Sequence, residues 1–301
     1  MNQMMNQMIR RAIVLAVLLS IFFVFTGKDS SALTFEFSKD KPGVKTFALK
    51  YLRFTVEGEN IISKFPSTFY VISVAPDDIP VLAAKVGKID RKSGIGPYLE
   101  KISGGKVSKS IAGTHKEKIV YNPNRPPEKK MLSSYTVWND WVFIGNKKET
   151  ILNVLKPLKS PADIAKADKA VSSINGWSGA GMKLWADNSD QHLSKLLDGQ
   201  KNRILIPLIR DPKKIQLLGG AFTLSESKEM KGTLFIKPVN QQATKALEGD
   251  VRFVGETIKR RLTAVKTPYN GKVFSTDNGI YFEATIGNYM AAQGQIVQAE
   301  R

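Results

Sequence analysis

The residue types that usually do chemistry are sparse in this chain and poorly spaced for it. There are two histidines, His115 and His192, and no cysteine. A catalytic zinc site needs three protein ligands, and neither histidine has another close by. The missing cysteines exclude thiolate nucleophiles, thiolate metal sites, disulfides and a lipoprotein anchor. Ser103-Gly104-Gly105-Lys106 and Ser225-Glu226-Ser227-Lys228 both fit S-x-x-K. That motif opens a helix and works with S-D-N and K-T-G partners, which Lys266-Thr267-Pro268 does not supply. No G-x-S-x-G occurs. Gly94-Ile95-Gly96 and Gly179-Ala180-Gly181 lack the third glycine of a dinucleotide fingerprint, and Glu100 stands where a P-loop needs its first glycine. Asp77-Asp78 and Asp187/Asp190 precede helix-like runs and read as N-terminal caps. No catalytic residue, cofactor site or metal site is therefore expected.

Charge is the more informative property. Lys and Arg number 45 against 27 Asp and Glu, a formal +18. Long-range attraction then favours anionic partners, while lysines spread along the whole chain also serve solubility. Three basic groups stand out: Lys116, Lys118, Arg125, Lys129 and Lys130 around a Pro-rich loop; Lys201, Arg203, Arg210, Lys213 and Lys214 flanking ILIPLI; and Lys259, Arg260, Arg261 and Lys266. The last four are the candidate contact with an anionic surface, at the expected C-terminus of a long helix, where they would also complement the helix dipole. The partner expected is an anionic membrane surface or an acidic envelope component, and not nucleic acid.

The N-terminus supplies the compartment. Arg10-Arg11 precedes the apolar run Ala12–Phe25. A membrane span takes about 20 residues, whereas the core of a secretory signal takes about 7–15. Ser30-Ser31-Ala32 offers small residues for cleavage. The arginines stay on the cytoplasmic side, so residues 1–32 read as a signal peptide or signal anchor and the remainder as exported. The residues of a twin-arginine signal are missing around the pair.

Two stretches share one grammar. Tyr135–Leu158 reads strand, Asn139-Asp140 turn, strand, then a helix capped by Asn146 with Glu149 three residues on. Lys272–Val297 repeats it, with Asp277-Asn278-Gly279 as the turn and Ile286-Gly287-Asn288 echoing Ile144-Gly145-Asn146. A second correspondence sets VISVAPDDIPVLAAKV beside MKLWADNSDQHLSKLL as strand, acidic cap and helix. Together they predict a duplicated α+β chain: two similar units of antiparallel sheet plus helix in tandem, residues 33–160 and 161–301. The first has a lead-in hairpin from Thr34–Phe37 and Thr46–Glu57. Within it Thr68–Val74 is a central strand, the run after Asp78 a helix, and Pro97–Ile102 a second helix. Pro161–Ile174 forms a linking helix. The second unit has a strand at Gly181–Ala186, a helix at Gln191–Leu197 and a hairpin over Lys214–Leu224 and Lys231–Lys237. It also holds an inserted helical stretch, Val239–Val265, interrupted at Gly249-Asp250.

On Phe65-Pro66 before the strand Thr68–Val74, on the hairpin and helix of Tyr135–Leu158, and on Asp277–Asn288, the chain resembles a bacterial family of unknown function. Its members carry an N-terminal membrane segment followed by a duplicated α+β exported region. The resemblance spans residues 60–298 and brings no functional residues. The expected role is a non-catalytic binding or structural protein of the cell envelope, periplasmic and tethered to the cytoplasmic membrane. The alternatives are an envelope-polymer hydrolase, which requires a concave site with convergent polar groups, and a carrier of a lipid or other apolar ligand. The carrier requires a large apolar pocket, with Trp138, Trp141, Trp177 and Trp185 near it.

Overall fold

Short apolar runs bounded by turn residues become antiparallel strands on both sides of a division between Ala167 and Asp168. A computed structural model describes residues 33–51, 58–73, 80–90, 92–103, 119–122, 124, 132–188, 209–225 and 228–288. The architecture is mixed α+β, dominated by antiparallel sheet with few helices. Among the described residues no helix is long and apolar enough to cross a membrane. The run Ala12–Phe25 lies outside them.

The first unit runs β1 (Leu33–Ser38), α1 (Val44–Tyr51), α2 (Gly58–Lys64), β2 (Thr68–Ser73), β3 (Val81–Lys85), α3 (Gly96–Ser103), β4 (Val120–Tyr121), β5 (Ser134–Trp138), β6 (Trp141–Gly145) and α4 (Lys148–Leu155). Its strand order is β1-β2-β3-β6-β5-β4, antiparallel at every step. Phe37 and Phe69 face one another across β1 and β2 with ring centroids 5.2 Å apart, and Phe65 reaches Phe69 at 5.8 Å. Lys39 donates from Nζ to the carbonyls of Ile62 and Phe65, closing the end of α2. Burial lowers its pKa, with the charge of Lys45 adding to the effect and Asp40 opposing it. The β5–β6 hairpin turns at Asn139-Asp140, where Asn139 takes φ 55, a region that Asn tolerates.

Several local expectations are corrected here. Thr46–Glu57 was expected as a strand, but α1 covers Val44–Tyr51. Val44, Phe47 and Ala48 are buried at helical spacing, and this face wins over the approximate alternation of the same residues. The run after Asp78 was expected as a helix but forms β3, placed between β2 and β6. Val81–Ala84 are all 0% exposed, so a strand covered on both faces needs no alternation to mark it. Asn146 does not cap α4: the cap position is Lys147, with no side-chain bond, and the Asn146 Oδ1 is buried without a hydrogen-bond partner. Pro161–Ile174 is not one helix. A 3₁₀ turn, Pro161–Ala165, opens on a Ser160–Asp163 capping box and stops. Asp168 then starts afresh, its carboxylate accepting from the Ala170 amide at 2.8 Å.

The second unit runs α5 (Lys169–Ser172), β7 (Met182–Asp187), β8 (Ile215–Leu224), β9 (Met230–Pro238), α6 (Gln241–Ala264), β10 (Tyr269–Thr276) and β11 (Gly279–Ile286). Its order is β7-β8-β9-β11-β10, again antiparallel throughout. The expected break in Val239–Val265 does not occur, and α6 continues through Gly249-Asp250. A helix-interior glycine costs about 1 kcal/mol against alanine. Burial of Leu247, Val251, Val254, Ile258 and Leu262 along one stripe outweighs that. Asp250 is buried on the same helix, accepting from the Arg210 amide at 2.9 Å and from its Nε at 2.6 Å. The expected helix Gln191–Leu197 lies outside the described residues.

Candidate functional site

Strand alternation divides the second sheet into two faces, and α6 covers one of them. A Cβ on Gly255 would lie 3.4 Å from the Phe282 ring, and the Tyr269 hydroxyl donates to the Gly255 carbonyl at 3.5 Å. Phe282, Leu234 and Gly220 therefore point toward the helix, while Tyr281, Glu283, Phe235 and Thr233 point away from it. At the β8 end this second face is covered by α5 and the segment after it. Gly219 makes that approach possible, since a Cβ there would fall 2.6 Å from Val171. Trp177 meets Trp185 at 5.8 Å, and Lys183 lies over the Trp177 ring.

On β9 this face is still buried, at Phe235 and Thr233, and it opens toward β11 and β10, where Tyr281, Glu283 and Phe274 are half-buried and Lys272 is exposed. Phe235, Tyr281 and Phe274 are neighbours in the cross-strand register and form a row of rings, with centroids 5.1 Å and 5.2 Å apart. The next row is Thr233, Glu283 and Lys272, in which Lys272 pairs with Glu283 at 2.9 Å. This second row borders a groove of about 330 Å³ that Lys231, Thr223, Thr285 and Asn270 also line. It is a shallow polar depression, suited to contact along a surface. On the helix side, the apolar cavity between Phe222, Leu234 and Phe282 is about 10 Å³.

The expected anionic-surface contacts lie at the end of α6. Lys259 and Arg260 are exposed and Arg261 is half-buried. Lys266 is exposed just past the helix, with φ 53. Successive helical residues point about 100° apart, so the three fan around the last turns instead of forming one face. Lys259 shares a side with Glu248, Arg252 and Gly255, and that side lies along β10. Glu248 accepts from the Ser275 hydroxyl at 2.7 Å and holds Arg252 at 2.6 Å. These bonds, Ser275 first, keep the Glu248 carboxyl below the usual carboxylate range. Tyr269 at the start of β10 is pushed up to about 12 by burial and then by the charge of Glu256. Phe253 stands 52% exposed on the outer side of the helix.

Of the other basic groups, Arg210 is tied to Asp250, and Lys214 lies 3.5 Å from Asp211. The group around the Pro-rich loop lies outside the described residues, as do Lys201, Arg203 and both histidines. The S-x-x-K match at Ser225 is a hairpin turn between β8 and β9, whose hydroxyl accepts from the Glu229 amide at 3.0 Å. Among the described residues no three His, Cys, Asp or Glu side chains gather as metal ligands. Sequence reasoning missed the aromatic row and the groove. The signal was present in the alternation of Phe274 with Lys272 and of Tyr281 with Glu283, and it was read only as hairpin grammar.

No protein-family model matches the chain, and no curated protein matches it. Among solved structures it is similar to crystal form I of TP0453 at 12% identity and TM-score 0.42. It is similar to crystal form III of TP0453 at 14% identity and TM-score 0.43. Both comparisons cover 91% of this chain and 96% of the other.

Proposed function

We propose that this is an exported, membrane-tethered, non-catalytic binding or structural protein of the cell envelope, built from two tandem copies of one α+β unit behind an N-terminal signal or anchor segment. The observation that carries export is the apolar run Ala12–Phe25 directly behind Arg10-Arg11. Shared connectivity supports duplication. Each unit runs through three antiparallel strands, a helix and a final hairpin, and the second strand of that hairpin returns to pair with the third strand. Ile144 and Ile286 then hold equivalent places near the ends of β6 and β11. In the same reading Trp185, on the opening strand of its unit, aligns with β1; Val74 lies outside the described residues.

The open polar groove and the basic α6 terminus support binding at the surface, to an anionic membrane surface or an acidic envelope partner. Holding one water takes about 10–15 Å³ of cavity, so the apolar cavity under α6 has no room for an acyl chain. Reporter fusions test the reading. A phosphatase fused after the last residue of the full chain should be active and a cytoplasmic fluorescent reporter dark. The reverse pattern would overturn it.

A further inference from the structure

We propose that the outer edge of β10 is a docking site for an extended acidic segment of a partner protein, which adds to the sheet as a further strand. This rests on the binding role proposed above and names the partner's chemistry.

The Gly287 amide donates to the Pro268 carbonyl, so Pro268 and Gly287 form a hydrogen-bonded pair in the β10–β11 register. Such pairs alternate along an antiparallel ladder, which turns the amides and carbonyls of Tyr269, Gly271, Val273 and Ser275 away from β11. Among the described residues no strand meets them. In the first unit the strand in the same place of the order, β5, has its outer edge filled by β4, with Val120 opposite Tyr135.

Proteins usually blunt such edges with short strands, bulges, prolines or charges. β10 has eight residues in unbroken register with β11 and no proline. Its one charge, Lys272, is held by Glu283. An added strand would satisfy alternate backbone groups, and every second side chain would point toward the α6 side. On that side Arg252 is already paired with Glu248, Glu256 is the remaining acid, and Lys259 and Lys266 are exposed. The chain as a whole carries +18. A positively charged chain favours an acidic segment at this edge over a neutral or basic one, and a second copy is one of the outcomes the test distinguishes.

The test uses the full-length protein in detergent micelles. The probe is a fluorescent decapeptide alternating Glu with Thr, with a Lys-for-Glu decapeptide as control. The acidic peptide should bind, weaken with added salt, and slow exchange of the Tyr269, Gly271, Val273 and Ser275 amides. Val273→Pro removes one outward donor at a position where an edge strand tolerates proline, and should weaken binding at least about tenfold. Lys259→Glu with Lys266→Glu, both on the surface, should weaken it without touching the backbone, which keeps the test open if the proline variant misfolds. Absence of binding, equal binding of the Lys peptide, or indifference to these variants would overturn the proposal. So would edge amides already protected without peptide, by a second copy, or protected by phosphatidylglycerol vesicles in its place. Peptide binding is read on purified protein, so it can fail while the reporter fusions succeed, and the reverse.

Discussion

The final hairpins of the two units occupy the same place in their strand orders and meet solvent in opposite ways. In the first unit the outer strand β5 is buried from Ser134 to Val137, and β4 closes its outer edge. In the second unit no residue of β10 is fully buried, and its outer edge meets no strand among the described residues. Composition accounts for the difference. SYTVW carries no charge and is buried on both faces from Ser134 to Val137, whereas YNGKVFST places Asn270, Lys272 and Phe274 on the face away from α6. One connectivity thus yields a sealed hairpin and an open one. The open hairpin carries the groove, the ring row and the free edge together.

The strongest way to break this comparison is proline placement. Val142 lies in β6 between β3 and β5, and its replacement by proline should cost about 1–3 kcal/mol through a ladder bond lost in a buried strand. Val273→Pro should cost far less, because its amide points outward. Urea unfolding of the two variants compares them directly, and equal losses would mean that β10 is no edge.

A smaller effect is expected where α6 is fastened. Asp250→Ala removes the acceptor of the Arg210 amide and Nε. The loss should be about 1–3 kcal/mol, at the lower end because the Arg210 side chain is 76% exposed and can hydrate. If it matches a surface substitution, the buried carboxylate does not anchor the helix.

The smallest effect sharpens the link between α6 and β10. The Glu248 pKa is depressed in the folded state, chiefly by Ser275 and then by Arg252. The stability this contributes is fully present above the unfolded carboxylate value of about 4.3 and is lost as pH falls through the lower folded value. Ser275→Ala should raise the Glu248 midpoint toward the ordinary value in an NMR titration. An unmoved midpoint would show that the serine does not hold the carboxyl.

Much of the strand pattern was legible in the sequence. Asn139-Asp140 and Asp277-Asn278 mark their turns, and apolar runs mark β2, β5, β6, β8 and β9. What was hidden depended on tertiary context. Val81–Ala84 reads equally as helix or buried strand until β2 and β6 cover both faces. Val44, Phe47 and Ala48 fit a helix, yet their surroundings also fit an alternation. Gly249-Asp250 reads as a break until Arg210, forty residues away, takes the carboxylate. The groove was hidden for another reason: its residues come from four strands, and only the register brings Thr233, Glu283 and Lys272 side by side. The basic residues at the end of α6 were visible as a cluster, but three consecutive helical positions cannot share a face.

Amide hydrogen exchange on the full-length protein, without any added partner, tests the comparison most directly. The Asn122 amide bonds to the Ser133 carbonyl, so two residues on Val120 and Tyr135 form a hydrogen-bonded pair of β4 and β5, while the Ser133 amide itself donates to the Gly145 carbonyl of β6. Tyr135 should therefore be protected along with Thr136. In β10 the predicted pattern alternates: Asn270, Lys272 and Phe274 slow, Gly271, Val273 and Ser275 fast. Protection of Val273 equal to that of Tyr135 would contradict the account, because the second hairpin would then be as closed as the first.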